Sequence, residues 1–127
     1  MPGTVTMTTT GLSDLRAVKH SLAWLSDASG DVNTNPQTLR GGLLIQLKFI
    51  PDAGGTAPTT LYDVTLVDAN GVDYLAGAGA NLSATVSTLV RPTTQLFLDG
   101  TGTLDLVVAA AGNAKGGTVQ LWIQQSS

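Results

Sequence analysis

The stretch Leu61–Leu75 constrains the fold most, because two β-rich runs flank an Asn-Gly pair. This pair between such runs is the strongest short-range signal for a β-hairpin. A two-residue loop at the pair would set Asp68 opposite Asp73, and like charges at opposed positions destabilise a sheet. A type I turn that starts at Asp68 and ends with Gly71 in the left-handed conformation removes this repulsion. We therefore predict the three-residue loop Ala69–Gly71.

Alternation of apolar and polar residues predicts most of the other strands, because successive side chains of a strand point to opposite faces. In Leu15–Leu25, one face is predicted to hold Val18, His20, Leu22 and Trp24, and the other Lys19, Ser21 and Ala23. In Leu39–Ile50, the shared apolar face is predicted to hold Leu43, Ile45, Leu47 and Phe49. In Thr118–Gln124, it is Val119, Leu121 and Ile123, with Trp122 opposite. Further strands are predicted at Gln95–Leu98 and Thr103–Val108, and Met1–Thr10 is a strand or an extended arm.

Turn-forming residues predict loops at Ser26–Pro36, Asp52–Thr60 and Ala109–Gly117. We expect Asp52–Thr60 to be mobile unless a partner holds it. The small residues of Ala76–Ala80 are expected to be flexible or to lie close against another backbone. Asn81–Val90 forms either a short helical turn or an irregular strand.

About seven or eight short strands with little helix predict an all-β fold, either an antiparallel β-sandwich or a jelly-roll-like small barrel. All nine acidic residues are Asp. Asp favours turns and caps, whereas Glu favours helices, so this choice also argues against exposed helices. The length suits one core. We predict a single β-sandwich domain over residues 14–127, preceded by an N-terminal strand or extended arm over residues 1–13.

The charge content is unusually low: 12% of the residues are charged, against roughly 25% in an average domain. Hydroxyl, amide and small apolar residues must therefore cover the surface, and such weakly charged surfaces tend to associate. This suggests that much of the surface is covered in the working state. The net charge of −3 argues against an electrostatic grip on nucleic acid or an anionic membrane.

Targeting and redox features are sparse. The absence of cysteine excludes disulfides, thiolate nucleophiles and zinc–thiolate sites. The N-terminal residues do not form a basic region followed by an apolar core, so we do not expect a secretory signal. The longest apolar stretch, Leu106–Ala111, is too short to cross a bilayer. We expect a soluble protein.

Candidate catalytic and metal-binding residues are few. His20 is the single histidine, but its neighbour Ser21 would point to the opposite face of the same strand. Side-chain oxygens could ligate calcium in two loops, at Asp68, Asn70 and Asp73 and at Asp27 and Asp31. A calcium loop uses a denser set of carboxylates and a bidentate Glu, so turn chemistry is the better interpretation. We predict no catalytic residue, no cofactor and no metal.

Three blocks together resemble a known group. They are Trp24–Gly30, then Phe49–Pro58 running on through Leu61–Leu75 to Gly79–Leu82, and Ala110–Val119. In their order and spacing they are similar to small β-rich virion proteins of tailed bacteriophages and prophages, and the similarity covers nearly the whole chain. The resemblance implies a non-enzymatic virion structural protein of the capsid decoration, or cement, type.

A protein of that type binds the outer surface of an assembled icosahedral capsid and stabilises it. The resemblance therefore implies a chain made in the bacterial host cytoplasm and located on the capsid exterior, with the major capsid protein lattice and itself, as a trimer or dimer, as partners. It implies no nucleic acid or membrane partner. The interface candidates are Met1, Thr4, Thr6, Thr8, Thr10, Gly54, Gly55 and Pro58. A head–tail connector or tail component, and a carbohydrate- or receptor-binding module, remain the alternatives.

Overall fold

A computed structural model describes residues 3–12, 16–32, 36–39, 41–75, 77–91, 96–98 and 103–124. Within these residues the chain forms nine β-strands and a single 3₁₀ turn, Gly54–Thr56. The strands are β1 (Thr4–Leu12), β2 (Ala17–Leu25), β3 (Pro36–Gln37), β4 (Gly42–Pro51), β5 (Asp63–Val67), β6 (Thr88–Val90), β7 (Leu96–Leu98), β8 (Leu104–Ala109) and β9 (Gly116–Gln124).

The strands form two antiparallel sheets. The six-stranded sheet has the order β1-β2-β9-β4-β6, with β7 also paired to β4, and the three-stranded sheet has the order β3-β8-β5. The all-β prediction is confirmed. The sheets do not close into a barrel, so the sandwich alternative is the one observed.

One hydrophobic core joins the two sheets. From the six-stranded sheet, Leu22, Leu47 and Leu121 are completely buried, and from the three-stranded sheet so are Leu106 and Val108. The Trp24 and Tyr62 rings meet across the core, with centroids 5.6 Å apart. A Cβ on Gly117 would lie 2.8 Å from Cζ2 of Trp24, so the glycine leaves room for the indole. The faces predicted for β2 and β9 are confirmed.

In β4 the prediction of one continuous apolar face was wrong. Leu47 and Phe49 are buried as expected, but Leu44 is buried in place of Leu43 and Ile45. The register with β9 shifts between Leu44 and Gln46, which leaves Ile45 as an extra residue. Such a β-bulge reverses the alternation, because two residues then oppose one on the neighbouring strand.

The hairpin turn is confirmed. The Gly71 N–H donates to the Asp68 carbonyl at 3.0 Å, and the φ of Gly71 is +79°. Asp73 bridges to Val67 and not to Asp68, so the two carboxylates are not opposed. The second arm is shorter than predicted, because the chain turns again at Tyr74.

One loop departs from the predictions, and two segments follow one of the two alternatives predicted for each. The Ser26–Pro36 loop contributes a fully buried residue, Val32, which bridges to Val108. Gly79 lies directly against the backbone of Val64, as one of the two alternatives for its segment required. Asn81–Val90 is not helical: its Ser83 hydroxyl accepts two backbone N–H groups, and β6 follows.

Candidate interaction surface

The outer face is the side of the six-stranded sheet that points away from the core. Strand parity and register place three rows of side chains across it. They are Thr10–Lys19–Trp122–Gln46, Thr8–Ser21–Gln120–Lys48–Leu89 and Thr6–Ala23–Thr118–Ile50. The described side chains in these rows are half-buried or exposed. The sheet therefore presents a broad surface of hydroxyl, amide and apolar groups.

Two contacts fix side chains at the centre of the outer face. The Lys19 ammonium lies 5.9 Å from the centroid of the Trp122 ring, within the range of a cation–π interaction. The Gln120 amide donates to the Ser21 hydroxyl at 3.3 Å. These contacts cross from β2 to β9, so the middle of the face is partly ordered before any partner binds.

The charge on the outer face has one sign. Among the residues that the structure describes, no Asp lies in a strand of the six-stranded sheet. Lys19 and Lys48 do lie on its outer face, whereas Asp63 and Asp105 belong to the three-stranded sheet. A protein with net charge −3 thus carries a weakly basic face, which favours a neutral or acidic partner surface.

β1 is an integral strand of this sheet and not a detached arm. It pairs with β2 over its full length without a register shift. Its inward-facing Val5 and Met7 are half-buried against the core, and Thr9 Oγ1 lies 2.9 Å from Nδ1 of His20. Deleting the segment would therefore uncover β2 and the core, so its contribution to binding is better tested by substitution.

The structure brings four of the interface candidates together. Thr4, Thr6, Thr8 and Thr10 are all exposed on the outer face of β1. Gly54 and Gly55 are exposed in the 3₁₀ turn that follows β4, whereas Pro58 is buried and does not belong to an exposed surface. Met1 lies outside the described residues.

The Asp52–Thr60 loop is tied to the loop that precedes β9. The Lys115 ammonium donates to the Gly55 carbonyl at 2.8 Å, and the Thr59 N–H donates to the Ala111 carbonyl at 2.9 Å. Ser26 secures the same loop, because its hydroxyl donates to the Gly112 carbonyl and accepts the Lys115 N–H. Contacts within the chain therefore hold the loop that we expected to be mobile unless a partner held it.

The candidate catalytic residue His20 is packed in the core, and three of the candidate calcium-binding carboxylates accept hydrogen bonds from backbone N–H groups. His20 is 1% exposed and faces the core, and Ser21 lies on the outer face, as predicted. The Asp73 carboxylate accepts the backbone N–H groups of Leu66, Leu75 and Gly77. Asp68 and Asp27 each accept two, which confirms turn chemistry. Among the described residues there is no cluster of three potential metal ligands.

The pKa values of Asp27 and Tyr62 are perturbed by their surroundings. The N–H of Asp31 is the main cause that lowers the pKa of Asp27, because it stabilises the charged carboxylate. Burial raises the pKa of Tyr62 to about 12, with a smaller contribution from the charge of Asp52. The Asp27 shift follows from hydrogen bonds within a turn, and the Tyr62 shift follows from packing in the core.

Sequence reasoning missed the outer face as a surface, because the threonines of β1 are its only residues among the predicted interface candidates. The alternation within β2, within β9 and from Gln46 onwards in β4 was visible in the sequence, but the order that places β9 between β2 and β4 is a long-range property. Comparison with protein families, curated proteins and solved structures gives no match. In the described part of the chain, no helix has the length and apolarity needed to span a membrane.

Proposed function

We propose that the protein is a bacteriophage capsid decoration protein that binds the outer surface of the assembled capsid through its outer face. The observation that carries this proposal is the outer face itself, a broad and weakly basic sheet surface without a strand carboxylate. The resemblance to virion proteins supplies the class of partner, the lattice of major capsid protein.

The physical role follows from linkage. A protein that binds the assembled shell and not the free subunits stabilises the shell by mass action. Each contact can be weak if one oligomer engages several lattice sites at once. A rigid sheet with preordered side chains, such as the Lys19–Trp122 pair, loses little conformational entropy on binding.

A carbohydrate-binding module is the second candidate, because Trp122 is half-buried on an open face beside the amide groups of Gln46 and Gln120. Sugars commonly need an accessible aromatic ring. Here the Lys19 ammonium lies over the ring, so a sugar would have to displace it. Binding to a glycan array that is lost in Trp122→Ala would favour this candidate over the capsid.

The experiment that tests the proposal is quantitative mass spectrometry of purified particles from the virus that encodes the chain. Decoration predicts a copy number equal to that of the major capsid protein or a simple fraction of it. A few copies per particle would assign the chain to the connector or the tail. Absence from the particle would contradict any virion function.

A matched pair of variants assigns the binding surface. Ser21→Asp adds a carboxylate to the outer face, whereas Thr65→Asp adds one to the outward side of β5 in the three-stranded sheet. We expect particle occupancy to fall at least tenfold for Ser21→Asp and to stay unchanged for Thr65→Asp. The opposite order would place the binding surface on the other sheet.

A further inference from the structure

We infer that β1 pairs with β1 of a second copy of this chain, antiparallel and about a two-fold axis, so that the six-stranded sheets of two copies join into one. The inference deepens the oligomer that the proposed function includes and names its surface, the β1 edge, which is the side of β1 that does not face β2. It rests on the edge and its side chains, so it can be tested apart from the capsid.

The first observation is that the β1 edge lacks the usual protection. Exposed edge strands carry unpaired N–H and C=O groups, and proteins commonly shield them with charges, prolines, bulges or short length. β1 spans nine residues and contains neither a charged residue nor a proline. Its register with β2 runs unbroken from Thr4 to Leu12. Among the described residues, no strand pairs with its other side.

The second observation concerns the inner face of β1. Val5 and Met7 pack on the core but remain half-buried, because β1 is the outermost strand of the wider sheet. A strand added at the β1 edge would place its own inward side chains beside them and remove this apolar surface from water.

The third observation identifies the occupant. An antiparallel pair keeps inward residues opposite inward residues only if the residue numbers of each pair sum to an even value. Centred on Thr6, this pairing sets Thr4 against the second copy's Thr8 and Val5 against the second copy's Met7. Thr–Thr and apolar pairs at opposed positions stabilise a sheet, and no charged groups oppose each other. The strand is thus complementary to itself.

Such a dimer has a functional consequence. The outer faces of the two copies become one continuous surface, with the threonines of both β1 strands along its centre. A symmetric partner of this width engages two lattice sites through one rigid body, which raises the effective concentration for the second contact. Because a two-fold axis closes the assembly, the β1 edges of both copies are paired with each other and cannot add further chains to form a fibre.

The test uses purified full-length protein and exploits the absence of cysteine. Thr6→Cys places a thiol on the exposed outer side of β1, near the proposed axis. Under oxidising conditions we expect a disulfide-linked dimer, since the Cα atoms of opposed residues in an antiparallel pair lie within disulfide range. Ala23→Cys, on the adjacent position of β2, is the control and should stay monomeric on a denaturing gel. If Thr4→Cys, Thr8→Cys or Thr10→Cys forms the disulfide dimer in place of Thr6→Cys, the register differs from the one proposed, but pairing of the β1 edge is still established.

Light scattering of the unmodified protein gives the independent readout. We expect twice the 13.0 kDa chain mass, and the mass of a single chain for Thr6→Lys, in which two ammonium groups would face each other at the axis. Ala23→Lys should remain a dimer, and circular dichroism should show the same fold for all three proteins. A monomer, or a dimer or trimer unaffected by Thr6→Lys, overturns the inference. A dimer that fails to bind particles leaves the edge pairing intact and contradicts the proposed function alone.

Discussion

The two sheets of this protein are built by different means. The six-stranded sheet is built mainly from four strands of nine or ten residues, with one β-bulge in β4, and its described strands contain no carboxylate. The three-stranded sheet has shorter strands and depends on loops around it, which Asp side chains hold by accepting backbone N–H groups. Asp63 is one of these Asp residues, since its carboxylate accepts the N–H of Asn81 at 2.8 Å.

This difference separates two tasks. Around the three-stranded sheet, Asp carboxylates accept backbone N–H groups and so fix the irregular connections. These carboxylates also make that side of the molecule negatively charged. The six-stranded sheet needs no such support, because its ladders satisfy the backbone, and its outer face is free to remain uncharged or basic. We infer that the larger sheet provides the binding surface and that the smaller sheet closes the core.

The largest effect is expected where the two sheets share the core. Leu121→Ala removes a completely buried side chain from the centre of β9. Deleting such a side chain costs transfer free energy and leaves a cavity, so the free energy of unfolding should fall by about 2–5 kcal/mol. Urea denaturation measures this change. Gln120→Ala, the next residue on the outer face, should change stability by less than about 1 kcal/mol. Equal effects would contradict the assignment of the two faces.

Breaking the carboxylate support should weaken the smaller sheet. Asp73→Ala leaves three backbone N–H groups without their acceptor. We expect a loss of about 1–3 kcal/mol in the free energy of unfolding. Asp73→Asn keeps one acceptor oxygen, so its free energy of unfolding should lie between those of Asp73→Ala and the unmodified protein. Hydrogen exchange should show faster opening of the hairpin than of β2 and β9, and uniform acceleration would argue against separate support of the two sheets.

The free energy of unfolding should depend on pH through Tyr62, whose ring packs against Trp24 of β2 in the core between the sheets. Its pKa is raised to about 12 in the folded state, whereas it ionises near pH 10 when unfolded. The unfolded state therefore releases the proton first, and stability that is fully present below pH 10 is lost as pH rises towards 12. The loss should be on the order of 2 kcal/mol. Denaturation curves from pH 8 to 12 measure it, and Tyr62→Phe should remove this part of the dependence.

The smallest effect concerns backbone strain in the loop before β9. Ala114 has a φ of +52°, a conformation that glycine adopts more readily. Ala114→Gly should raise the free energy of unfolding by about 0.5 kcal/mol, because relief of strain exceeds the entropy that glycine adds to the unfolded chain. Ala109→Gly, within β8, should lower it. Stabilisation by both variants would show that local strain is not the cause.

Sequence reasoning predicted the regular parts well, since strand alternation in β2 and β9 follows directly from side-chain order. The bulge at Ile45 was not predictable, because the three consecutive apolar residues Leu43–Ile45 allow the alternation to shift phase at any of several points. Val32 was missed because turn-forming neighbours dominate its loop. The outer face required the strand order, which depends on contacts between distant parts of the chain, and the sequence offered only the threonines of β1.

The proposal that the outer face binds the shell is tested most directly by hydroxyl-radical footprinting. The protein is compared free and bound to particles, and mass spectrometry measures the oxidation of individual side chains. Trp122 and Leu89 report on the outer face, and Val72, which is 55% exposed in the hairpin, reports on the smaller sheet. We expect oxidation of Trp122 and Leu89 to fall on binding, and oxidation of Val72 to stay unchanged. Protection of Val72 with unchanged Trp122 would show that the smaller sheet meets the shell and would contradict the account.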